Sequence, residues 1–196
     1  MGALLAADVN GLNATHGPGG SSHMTVMGGH SYGSTTVADA AAGYGMHTND
    51  VILIGSPGTD MAKSAADFHL APGGHVFVGA ASTDPVTQLG AIPQVHIPGT
   101  GGVTASLGTD PALDGFGSTR FKAEVPGWTI NDHSHYFERG TESLFSMADI
   151  VSGHGDALEV DGMTAPHRAD NILTDIGVLP SDPELYRAPP TSGHYH

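Results

Sequence analysis

The 196-residue sequence contains no cysteine. That excludes disulfides, thiolate metal sites and a cysteine nucleophile. Positive charge is scarce: six Lys and Arg stand against 20 Asp and Glu, for a formal net charge of -14. With no basic cluster to neutralise phosphates, nucleic acid is not an expected partner, and anionic membrane surfaces are disfavoured. No apolar run approaches the roughly 18 residues that span a bilayer, so no integral membrane segment is expected. The opening "MGALLAADVNGLNATH" lacks the basic region of a signal peptide, and the expected location is the cytoplasm. Among 13 histidines no H-x-x-x-H or HExxH spacing occurs, so neither a metal nor another cofactor is expected.

Glycine and proline, by contrast, are abundant, with 29 and 13 copies. Such a composition borders on low complexity. Apolar runs such as "VILIG" and "HVFVGA" sit between the glycines, however, and mark a globular middle of one-domain size. Residues 3–15 place Leu4, Leu5, Val9 and Leu12 at helical spacing. "MTVMG" reads as a short buried strand, and Ser34 to Ala42 as a small-residue helix. "VILIG" (51–55) is a continuous apolar strand of the kind covered on both faces. Residues 61–68 read as a short helix, 75–81 as a strand, "STDPVTQLG" as a loop and 118–127 as containing a fourth strand. The stretch from Gly90 to Gly117 carries no clear assignment. A helix begins near Thr141, with an apolar stripe of Leu144, Met147, Ala148 and Val151. Strands alternating with helices argue for an α/β fold with a parallel sheet and helices on both faces. The domain is expected over residues 1–155, followed by a loosely structured tail over 156–196.

Chemistry concentrates at "GGHSYG". Gly29-His30-Ser31-Tyr32-Gly33 is a G-x-S-x-G, the pattern of a nucleophile elbow. A serine in a tight strand-to-helix turn projects its hydroxyl above the sheet edge, and flanking glycines leave room for the turn. The helix N-terminus behind it aims N–H groups, that of Tyr32 first, at a developing oxyanion. In so glycine-rich a chain the pattern alone is weak, and a plain glycine loop is the competing reading. The strand before it and the helix after it supply the required context.

A serine hydroxyl needs a base, and the base an orienting carboxylate. Asp84, in "STDPV", follows a strand and is the preferred acid; Asp60 and Asp132 are rivals, and a turn-forming Asp before Pro is the structural alternative. His133, in "NDHSHYF", is the preferred base, with His135 its competitor. His30 is expected either to support the site residues from behind or to be structural. Ser31, Asp84 and His133 fall in the chain order Ser, Asp, His.

Four blocks, "VMGGHSYGSTTV", "NDVILIGSPG", "HVFVGAASTDPV" and "DHSHYFERGTESL", resemble an actinobacterial group of α/β-hydrolases long labelled a domain of unknown function. The resemblance covers roughly residues 5–155 and starts at the nucleophile strand. It implies the C-terminal part of an α/β-hydrolase domain, about four strands, truncated at its N-terminus. It implies esterase-like chemistry with Ser31 as nucleophile, Asp84 as acid and His133 as base. It also implies an open edge beside the nucleophile strand, suited to homo-oligomerisation, and a missing second oxyanion donor. The expected substrate is a small ester or related acyl compound. The alternative is a catalytically impaired fragment acting as a binding or subunit protein.

Overall fold

"DVILI" alternates two apolar sets with no polar face between them, and it forms the most deeply buried strand of the molecule. The computed structural model describes residues 1–15, 23–90, 107–125, 132–169 and 181–188. This strand, β2 (Asp50–Ile54), lies between β1 (Thr25–His30) and β3 (Val76–Gly79), and β4 (Thr119–Phe121) follows β3. All three pairings are parallel. Val51 and Leu53 join one core with Val76, Val78, Phe68 and Phe116. Ile52 and Ile54 join the other with Phe77, Phe121, Tyr136, Met147 and Ile150. A strand buried on both faces needs helices on both, and α1 (Gly2–Thr15) and α2 (Tyr32–Tyr44) cover one side while α4 (Glu142–Val151) covers the other.

Both strand edges are not alike. The segment after α5 (Ala157–Val160) runs antiparallel beside β4, with Lys122 N–H on the Met163 carbonyl and Ala165 N–H on that of Arg120. β1 ends the sheet on the other side.

Several local expectations change. In α1 the buried face is Gly2, Ala6 and Val9, while Leu4 is 74% and Leu12 55% exposed. The reason is close approach: a Cβ on Gly2 would lie 3.1 Å from Ala40 N, so small residues of α1 meet the alanines of α2. "STDPVTQLG" is not all loop. Asp84 Oδ1 accepts Val86 N–H at 2.8 Å and caps a short helix, α3 (Pro85–Gly90), with Pro at its first position. The helix expected over 61–68 shrinks to a 3-10 turn at Ala65–Phe68. In α4, Thr141 caps Leu144 N–H as expected, but the buried face is Glu142, Ser143, Ser146, Met147 and Ile150. Polar residues turn inward because Arg187 pairs with Glu142 and the Ser143 hydroxyl donates to the Tyr136 carbonyl at 2.6 Å.

From residue 156 the sequence predicts a loose tail. Its described parts carry buried side chains instead. Arg168, 1% exposed, binds Asp110 at 2.9 Å and Asp182 at 2.8 Å; Arg120, also 1% exposed, holds Asp182 through two bonds of 2.9 Å. Bidentate, desolvated pairs of this kind fasten the 181–188 segment to the sheet. Residues 170–180 and 189–196, and the stretch 91–106 left unassigned from sequence, lie outside the described residues.

Candidate active site

β1 and β2 run in register from Thr25 to Met27, but His30 then faces Ile54, so β1 spends three residues where β2 spends two. This bulge sits at Gly28, where a Cβ would lie 2.6 Å from the Ile52 carbonyl oxygen. The strand then delivers Ser31 into the turn, pinned by its own N–H on the Ile54 carbonyl at 3.0 Å. Ser31 has φ 62° and ψ -128°, a backbone conformation that side chains rarely adopt. Gly29 sits in a tight place, since its Cβ would stand 3.0 Å from Gly33 Cα. Gly33 is not: a Cβ there meets nothing within 4 Å. Tyr32 opens α2, where the first N–H groups have no helical partner.

Asp84 is fully buried at the end of β3 and accepts His133 Nδ1–H at 2.9 Å. The other candidates have other partners. His135 pairs with Glu138 at 2.6 Å on the surface. Asp132 is buried and accepts the Thr83 hydroxyl, so it ties the loop before Asp84 to the loop carrying His133. Asp60 is exposed, and its carbonyl accepts the Lys63 ammonium.

His30 links the Ser31 turn to His133. Its ring stacks on that of His133 at 4.0 Å between centroids, and its Nε2–H donates to the His133 carbonyl. Burial, and then the neighbouring His133, hold its pKa below the ordinary histidine value. Gly55, at φ 54°, presses against the other side: a Cβ there would lie 3.1 Å from His133 Nδ1. Among the described residues no hydrogen bond joins Ser31 Oγ to His133; in free enzymes with such constellations this contact is often loose.

Sequence reasoning missed Tyr136. Its hydroxyl donates to Asp84 Oδ2 at 2.7 Å and accepts Ala81 N–H at 2.9 Å, inside the base of the site. Its place in "HSHYF", three residues after His133, is the only trace in the sequence.

Among the described residues, no group of three or more acidic or histidine side chains is arranged to hold a metal, and no helix is long and apolar enough to cross a membrane.

Residues 2–95 match the family described as alpha/beta hydrolase. Two uncharacterized proteins of Mycobacterium tuberculosis, from strains CDC 1551 and H37Rv, are each 53% identical over 212 residues. The similarity covers 96% of this chain and 32% of each relative, so the chain spans about a third of their length. No solved structure matches. The family match and the four-stranded parallel sheet make the fold α/β-hydrolase-like. The mycobacterial relatives are consistent with the actinobacterial side of the resemblance.

Proposed function

We propose that the protein is a serine hydrolase of esterase type acting on a carboxylic ester or related acyl compound. The observation that carries this reading is the 2.9 Å bond from His133 Nδ1 to the fully buried Asp84, behind a serine at φ 62°. Ser31 Oγ attacks the acyl carbon while His133 Nε2 takes its proton. Asp84 holds the imidazole with Nδ1–H inward and balances the charge of the imidazolium. The Tyr32 N–H, at the N-terminus of α2, donates to the developing oxyanion. His133 then returns the proton to the leaving alkoxide, and water cleaves the acyl-serine by the same base.

A fluorophosphonate probe is expected to label the wild-type chain and not Ser31→Ala. His133→Ala is expected to lose labelling, and His135→Ala to keep it. Equal labelling of wild type and Ser31→Ala overturns the assignment.

The lack of a Ser31–His133 hydrogen bond favours a second reading, a binding or subunit protein that keeps the elbow without turnover. The side of β1 that pairs with no strand among the described residues then serves assembly, with another copy or another chain. An unlabelled wild-type chain that elutes as a stable oligomer supports it; a labelled, active monomer rejects it.

A further inference from the structure

Tyr136 is fully buried between the loop that ends in Asp84 and the turn that carries His133. A buried tyrosine is ordinarily core, and its ring does sit in the core on the α4 side of the sheet. Its hydroxyl is what departs from that role. It donates to Asp84 Oδ2 at 2.7 Å, the same oxygen that accepts His133 Nδ1–H at 2.9 Å. Oδ1 takes Val86 N–H at 2.8 Å. Asp84 therefore has three donors, of which one is the base and one is a phenol. Ala81 N–H, donating to the phenol oxygen, fixes the direction of the phenolic proton toward the carboxylate.

Resting on the Ser–His–Asp reading above, we propose that Tyr136 is a positioning residue. It locks the Asp84 carboxylate in the rotamer that meets His133 and sets how much negative charge that carboxylate presents to the imidazolium.

Burial, and then the Asp84 charge, hold the phenol well above its ordinary pKa, so it stays a neutral donor throughout the working range. The other groups facing this pair are few. His133 lies on Asp84 itself, and His30 stacks on His133 with its ring 5.9 Å from that of Tyr136. Arg168 acts on the phenol from behind, through the Ala81 carbonyl it binds at 3.3 Å. Asp132 reaches the loop through Thr83. Of these, His133 alone donates to Oδ2, and its proton is the one the phenol's bond sits beside.

Removing the phenolic hydroxyl leaves more charge on Oδ2. The imidazolium is then held more tightly, and the acid limb of the pH–rate profile moves to higher pH. A more acidic phenol does the reverse.

The test is hydrolysis of p-nitrophenyl acetate, with kcat and KM across pH, for the full chain. The variants are Ser31→Ala, Asp84→Asn, Tyr136→Phe and the last two combined. Tyr136→Phe is expected to lower kcat roughly 10-fold with KM unchanged, and to raise the acid limb by about half a pH unit. On top of Asp84→Asn it is expected to cost little more, because the two act as a unit. A wild-type chain with 3-fluorotyrosine at its five tyrosines is expected to show the opposite limb shift, and none in the Asp84→Asn background. That arm decides the matter where Tyr136→Phe fails to fold. Unchanged kcat and pH profile in Tyr136→Phe, or an equal loss in both backgrounds, overturns the proposal. Turnover that survives in Ser31→Ala overturns the underlying triad instead.

Discussion

A serine at φ 62° and ψ -128° is held against its own backbone preference by the strand before it and the helix after it. Such strain costs on the order of 1–3 kcal/mol and persists only where the surroundings enforce it. Glycine adopts the same angles freely. Ser31→Gly is therefore expected to raise stability by about 1 kcal/mol over Ser31→Ala while both lose probe labelling; chemical denaturation of the two checks it. Equal stability would show that the turn carries no strain. Ser31, Asp84 and His133 were legible as candidates because each follows a strand and the first sits in a glycine-framed turn. Tyr136 was not legible. What its hydroxyl meets lies 52 and 55 residues away in the chain, at Asp84 and Ala81, and no local pattern records that.

Elements give the same lesson through their faces. The parallel sheet was readable from apolar runs buried on both sides. The buried face of α1 was readable in part: Val9 and Leu5 meet the core, but Leu4 and Leu12 do not, because α1 packs by its smallest residues, Gly2 and Ala6, against the alanines of α2. In α4, Glu142 and Ser143 point inward because their partners, Arg187 and the Tyr136 carbonyl, lie on other segments. The elbow itself separates its glycines. Gly28→Ala forces a Cβ to within 2.6 Å of the Ile52 carbonyl, so it is expected to destabilise by about 2 kcal/mol or more and to impair labelling. Gly33→Ala meets nothing within 4 Å and replaces a poor helix residue in α2. It is expected to stabilise by up to about 1 kcal/mol. Thermal melts of the two variants check the contrast, and a Gly33→Ala protein less stable than Gly28→Ala would refute it.

At the scale of the whole molecule, β4, the Ser82 loop and the 181–188 segment converge on Glu124. Its carboxylate accepts Ser82 N–H at 2.6 Å and the Ser82 hydroxyl at 3.0 Å. Burial, with Glu184 and Asp182 nearby, nevertheless pushes its pKa up from 4.5 to about 7. A carboxyl raised on folding binds its proton more tightly in the folded state. Its contribution to stability is full below the unfolded value and is lost as pH rises through the folded one. Glu124→Gln is thus expected to gain on the wild type by on the order of 3 kcal/mol between pH 4.5 and pH 7 and above, read from urea unfolding across pH. A constant difference would place Glu124 in solvent. The same segment has a second consequence. Arg120, Arg168 and Arg187 are drawn into ion pairs with Asp110, Asp182, Glu142 and Glu184, which leaves three of the six basic residues against 16 of the 20 acidic ones. The molecule must therefore carry much of its neutralising charge outside itself, as a cloud of mobile cations. Any anionic molecule that approaches the protein crosses a barrier that rises as the salt is diluted.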